Sequence, residues 1–320
     1  MTKLMLRQAL LALGTTALLA GSALAAENIK FMIGANPGGG FDQTGRVLGK
    51  AMVEAGSAKS TQFENKGGAG GTIGLAQFVN ASKGDSNAMI VTGAVMVGAI
   101  VQNKPPVTLA QATPIARLFY EYNVFVVPAN SPIKSMKDVT DMLKKDPGSV
   151  KWGGGSRGSV DHISVAQIAK DAGVDPTKIN YVPFQGGGEA SAAILGGYVT
   201  VGTSGWNEMA QFVKSGKLRA LAVTSASKLP GESVPTLKEQ GINIEIGNWR
   251  GVYGAPGITP EQRKALTGAV IAATKQKSWH DSLAANDWFP ALLTGDAFSE
   301  FVDAEHKRIE DSMRAVGLVK

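Results

Sequence analysis

Short apolar runs alternate with helical periodicities along almost the whole chain, and glycine clusters stand where one gives way to the other. Residues 29–33 read as a buried strand. Phe41, Gly45, Leu48 and Met52 then recur at i, i+4, i+7 and i+11, one face of a helix that Gly56 ends. Further strand-like runs fall at 88–91, 124–127, 150–152, 179–182, 199–201 and 218–223, most of them followed by a helical pattern. Alternating β and α in one chain predicts an α/β protein, with parallel sheets covered by the helices that connect their strands.

Helix ends are written in the same way. Ser135 with Asp138 forms a capping box before a helix that Pro147-Gly148 stops, and Thr259-Pro260-Glu261-Gln262 repeats the box with proline at the first helical position. The last helix is expected from about Phe298, with Phe301, Val302, Glu305 and Ile309 on its face and Gly317 just past its end. These signals fix structure and imply no chemistry.

At the N-terminus Lys3 and Arg7 precede a short apolar stretch that closes on Ala23-Leu24-Ala25, the pattern of an export signal over residues 1–25. Gly14-Thr15-Thr16 interrupts the stretch, which falls short of the roughly 20 residues a membrane span needs. With no cysteine to carry a lipid anchor, the exported chain is expected free in the periplasm. The same absence excludes disulfides, a thiolate nucleophile and Cys-ligated zinc. The whole chain carries a formal charge of +6, two units of which belong to Lys3 and Arg7, and its basic residues are scattered. Nucleic acid is therefore not an expected partner, although a mild positive excess helps steer a small anion.

Of the 40 glycines, 14 gather in four clusters: Pro37-Gly38-Gly39-Gly40, Gly67-Gly68-Ala69-Gly70-Gly71, Gly153-Gly154-Gly155-Ser156-Arg157-Gly158 and Gly186-Gly187-Gly188. Without a Cβ, backbone N–H groups can converge, and a helix N-terminus behind such a loop favours negative charge. Any one cluster could serve only as a tight turn. Several at strand ends point to an anion site, because open α/β sheets bind ligands there.

The third cluster also fits two catalytic patterns. Gly153-x-Gly155-x-x-Gly158 matches a dinucleotide fingerprint, which its late position argues against, and Gly154-x-Ser156-x-Gly158 matches a nucleophile elbow. An esterase built on Ser156 needs a histidine base. His162 follows the loop directly and reads as a capping or packing residue, while His280 and His306 lie in polar helical segments. Three dispersed histidines also give no metal site, and no cofactor is expected. Asp42 and Glu189 could be paired as acid and base, but Asp42 stands in the first turn of a helix, where a carboxylate orders loop N–H groups.

Taken together, these motifs resemble the solute-binding receptors of tripartite tricarboxylate transporters, the Bug proteins. The resemblance spans nearly all of the exported chain and rests on Pro37-Gly38-Gly39-Gly40-Phe41-Asp42, Glu64-Asn65-Lys66-Gly67-Gly68-Ala69-Gly70-Gly71-Thr72, Gly155-Ser156-Arg157-Gly158 with Asp161-His162, Phe184-Gln185-Gly186-Gly187-Gly188-Glu189, 216–223 and Arg250-Gly251. Gly67 stands where many members have proline. The resemblance implies two α/β lobes around a cleft, of the type II periplasmic-binding-protein kind, with lobe 1 at 26–123 plus 226–320 and lobe 2 at 124–225. Two crossings would fall near 122–126 and 223–225. It further implies a receptor without enzymatic activity, acting as a monomer that passes a small carboxylate to transporter membrane subunits. One carboxylate end would be held by Gly38, Gly39, Gly40, Phe41 and Asp42 with Gln185, Gly186, Gly187, Gly188 and Glu189. Thr92, Ser156, Arg157, Gly158, Thr203 and Ser204 would surround the far end, with Arg157 reading its charge. The glycine loops and Arg250-Gly251 resemble the citrate-type branch, which makes a tricarboxylate the expected ligand.

Overall fold

The structure, a computed structural model, describes residues 26–320, so the expected export signal lies outside the described residues. The chain opens with β1 (Ala26–Ile33), α1 (Gly40–Glu54), β2 (Ala58–Asn65), α2 (Thr72–Ala81), β3 (Ala88–Gly93) and α3 (Ala94–Asn103). There follow β4 (Thr113–Pro128), α4 (Met136–Lys145), β5 (Lys151–Gly154), α5 (Val160–Asp171), β6 (Asn180–Pro183), α6 (Gly187–Leu195), β7 (Val201–Gly205), α7 (Trp206–Lys214) and β8 (Leu218–Val223). The last part holds β9 (Gly247–Gly254), α8 (Pro260–Ala273), α9 (Lys277–Ala285), β10 (Phe289–Thr294) and α10 (Gly295–Ala315).

Expected and observed elements agree where the local signal is strong. The run at 218–223 is β8, and both capping boxes form, with Ser135 and Thr259 accepting from the third helical N–H. Phe41, Gly45, Leu48 and Met52 are buried along α1. The last helix begins three residues before Phe298, and Gly317 takes a positive φ of 70° past its end.

The parallel-sheet expectation holds for two blocks only. β2, β1 and β3 are parallel neighbours, as are β6, β5 and β7. β4 joins them and is antiparallel to every strand it touches. Over Thr113 to Tyr122 it pairs with β9, and over Asn123 to Pro128 with β7 and β8. One 16-residue strand therefore carries the chain from one block to the other. The return passes beside it. Thr224 donates its N–H to Asn123 O at 2.9 Å, while its hydroxyl accepts from Asn123 N and donates to Ile246 O.

A buried core runs under both blocks, from Phe31, Ile33 and Leu48 through Phe119 and Phe125 to Trp152 and Ile163. A smaller cluster of Val124, Val126, Ile194, Trp206 and Met209 packs on the other face of β4. Burial of this apolar surface, at about 25 cal/mol per Å², is what holds a cysteine-free chain together.

Candidate functional site

The N-termini of α1, α6 and α7 converge on one cavity. Gly39, Gly40 and Phe41 line it from α1, Gly186 and Gly187 from α6, and Ser204, Gly205 and Glu208 from α7. Gly155 and Ser156 close it from the loop before α5 and Asp161 from the first turn of α5, with Gly70 and Val95 behind, and Asn248 and Arg250 reach in from β9. The glycines allow the approach: an ideal Cβ on Gly39 would stand 3.5 Å from Gly187 N, so the two loops touch backbone to backbone. Helix N-termini present unpaired N–H groups and partial positive charge, a natural seat for a carboxylate.

Each of these three helices has glycine at its N-cap and an acid at its third position: Gly39 with Asp42, Gly186 with Glu189, Gly205 with Glu208. Asp42 is buried and accepts from Gly38 N at 3.0 Å, from Asn65 Nδ2 at 3.0 Å and from Arg46 Nε. Burial by itself would raise its pKa, but these donors, Arg46 first, hold the carboxyl below the usual range. Glu189 is exposed and accepts from Gln185 N at 3.1 Å and from Asn36 Nδ2 at 2.6 Å, tying the second loop to the first. Asp42 and Glu189 thus organise loops, as the sequence implies for Asp42.

Glu208 differs. One oxygen takes a short hydrogen bond from Ser204 Oγ, and the other, Oε1, is buried without a partner. The carboxylate lies so close to Gly187 that a methyl group there would overlap it. Burial first, then the neighbouring Glu121, pushes its pKa up to about 7. Asp161, held by Ser159 Oγ, Gly155 N and Asn123 Nδ2, is pushed up to about 6 by burial. Arg250 is the buried cation among them. It pairs with Glu121 through one terminal nitrogen, leaves Nε unpartnered, and lies over the Phe41 ring with its guanidinium carbon 4.9 Å from the centroid.

Of the residues gathered from the sequence, Gly39, Gly40, Phe41, Ser156, Gln185, Gly186, Gly187 and Ser204 line the cavity. Gly38, Asp42, Gly188 and Glu189 are not part of that lining. Thr92 is buried and points its hydroxyl at Met96 Sδ, Thr203 is buried with an unpartnered hydroxyl, and Gly158 packs against the Gly98 carbonyl. Arg157 is exposed and outside the lining. Glu208 and Asn248 were missed. The repeated Gly-x-x-acid spacing was the signal that would have found Glu208.

Ser156 has no hydrogen-bonded base, since its hydroxyl is unpartnered. His162 Nδ1 accepts from Gly158 N at 3.1 Å, its ring lies tilted against Tyr181 with centroids 4.4 Å apart, and burial lowers its pKa to about 4. His280 and His306 are exposed. Among the described residues no group of three or more His, Asp or Glu could hold a metal ion, and no helix is long and apolar enough to cross a membrane.

Residues 46–318 match the family described as tripartite tricarboxylate transporter family receptor. The chain belongs to this family. Its relatives include a protein of the gbd 5' region of Cupriavidus necator, 29% identical over 303 residues that cover 91% of this chain and 88% of the relative. Among solved structures it is similar to the periplasmic binding protein BugD, with a TM-score of 0.83 at 21% identity, covering 91% and 98% of the two chains. A Rhodopseudomonas palustris protein with adipate has a TM-score of 0.82 at 22% identity, covering 91% and 97%. MatC from R. palustris with bound malate has 0.78 at 22%, covering 89% and 98%. The fold is thus that of two-lobed periplasmic binding proteins, and the receptor is a solute-binding protein, not an enzyme. Receptors of this family are periplasmic, bind small carboxylates and work with transporter membrane subunits.

Proposed function

We propose that this receptor captures a small carboxylate in the cavity between the α1 and α6 N-termini, closes its two lobes over it and presents the closed form to its transporter. The observation that carries the reading is the convergence of the two glycine loops on one cavity, with Asn36 and Glu189 bonded across them. A ligand touching both loops stabilises the closed state by its differential contacts there, and a partner can read closed against open. Lobe 1 is assigned to 26–123 plus 226–320 and lobe 2 to 124–225, because β4 changes partners at Tyr122 and Asn123 and Thr224 returns beside it. We assign the receptor to the periplasm, exported by residues 1–25 and acting as a monomer.

The sequence favours a tricarboxylate such as citrate. The related structures hold malate and adipate, which widens the class to ligands with two carboxylates. Buried Glu121, Asp161 and Glu208 against one buried arginine favour fewer carboxylates than citrate carries. Thermal melts with succinate, malate, adipate, glutamate and citrate test the class. A ligand at a hundred times its Kd stabilises the native state by about 2.7 kcal/mol. At least one of these should raise Tm, without conversion of the ligand; no shift with any of them contradicts the reading.

A further inference from the structure

Glu208 Oε1 stands where an anion held by the two glycine loops has to sit. Ser204 Oγ holds the other oxygen, while Oε1 is buried, lines the cavity with the rest of the side chain and has no hydrogen-bond partner. An ideal Cβ on Gly39 would lie 3.8 Å from Oε1, and one on Gly187 would overlap the carboxyl group, so the group lies between the N-termini of α1 and α6. Little positive charge is on hand to keep it ionised there. The charged groups that bear on it are Glu121 from β4, Asp161 from α5 and Arg250 from β9. All four are buried, three acids against one guanidinium. Arg250 Nη2 is already engaged by Glu121 Oε1, which also accepts from Asn248 Nδ2.

A ligand carboxylate seated on the two helix N-termini brings one more negative charge to that oxygen. Two carboxylates sharing a desolvated site keep a proton between them. Ser204 ties one oxygen of Glu208 and Gly187 backs the group, so a proton, not a swing of the side chain, relieves the contact. The proton also turns Oε1 from an acceptor without a partner into a donor, and an O–H bonded to a carboxylate is a strong, charge-assisted hydrogen bond. Burial and Glu121 already push the Glu208 pKa up to about 7 before any anion arrives. We propose that the receptor takes up its carboxylate together with one proton from solvent, held on Glu208, which then donates its O–H to the bound anion. This rests on the receptor reading and adds a proton to it.

The bound anion raises the pKa of Glu208 further, so above about pH 7 binding draws in a proton and the affinity falls as pH rises. Calorimetric titration of the intact exported protein at about pH 7.5 and about pH 8.5, where ordinary carboxyls are ionised, tests it in two buffers of different ionisation heat. The probes are malate, adipate, succinate, glutamate and citrate. Those that bind should take up about half a proton or more per ligand at the lower pH and bind about threefold or more weakly at the higher. In Glu208→Gln, with its fold checked by circular dichroism, the uptake should vanish and the remaining affinity should not depend on pH. The wild-type measurement decides alone if the variant fails to fold or to bind. No proton uptake by the wild type, or uptake that persists in Glu208→Gln, would overturn the proposal and leave the carboxylate receptor standing. Binding of none of the five would overturn both.

Discussion

Asp42, Glu189 and Glu208 occupy the same local position, third in a helix behind a glycine cap, and each turns back on the residue four before it. In the first two cases that residue donates its backbone N–H, so the carboxylate shapes the loop that carries it. In the third, Ser204 donates its side-chain hydroxyl, and the second oxygen is left facing the cavity. Local sequence sets the turn. What the carboxylate is for depends on its next neighbours: Arg46 and Asn65 complete Asp42, Asn36 completes Glu189, and no second hydrogen-bond donor completes Glu208.

The sharpest way to break this comparison is to move Glu208 without changing it. Gly187→Ala places a methyl on the carboxylate, and overpacking of this kind costs about 1 to 3 kcal/mol of stability. It should also lower affinity at least a hundredfold for the carboxylate that gives the largest Tm shift. Gly39→Ala, whose methyl meets Gly187 N at an ordinary 3.5 Å, should change stability little; urea unfolding and titration of both variants check the contrast.

Next in size is Asp42→Asn. It removes a buried, fully bonded carboxylate, although its partner Arg46 is half exposed, so a loss of about 1 to 2 kcal/mol is expected in urea.

The two kinds of acid should also answer pH with opposite signs. Asp42, lowered in the folded state, contributes stability that is lost as pH falls below its ordinary 3.8. Glu208 and Asp161, raised to about 7 and about 6, hold protons that the unfolded chain gives up earlier. These two acids should therefore cost the ligand-free protein stability as pH rises from about 4 to about 7, while His162, lowered to about 4, offsets part of that loss up to about 6.5. The test is the Tm of Glu208→Gln minus that of the wild type, which should grow as pH rises from about 4 to about 7; a difference that stays constant or shrinks across this window would contradict the assignment. The smallest effect is Glu189→Gln: exposed, it should cost under about 0.5 kcal/mol of stability and only a few-fold in affinity.

The sequence made the helical caps, the α1 face and the glycine loops legible because each is a local rule. It hid β2, whose alternation of polar residues at a sheet edge looks like a surface segment, and β10, which is short, half-exposed and carries Pro290. Antiparallel pairing of β4 with four strands was out of reach, since no residue in β4 declares its partners. The same limit explains the site. Gly39 and Gly187 announce themselves, whereas Glu208 lies in Trp206-Asn207-Glu208, an ordinary helix start, and gains its role from loops that are distant in sequence. Arg157 shows the converse: a charged residue in a glycine motif that folding leaves exposed outside the cavity lining.

The central claim is that a carboxylate is held, unchanged, where the two glycine loops meet. Equilibrium dialysis of the intact protein against an isotope-labelled pool of the malate, adipate, citrate, aspartate and glutamate anions, followed by mass analysis of what is retained, tests it most directly. The account predicts one equivalent of a single carboxylate, recovered with its mass unaltered and lost in Gly187→Ala. Retention of none of them, or recovery of a chemically converted product, would contradict it.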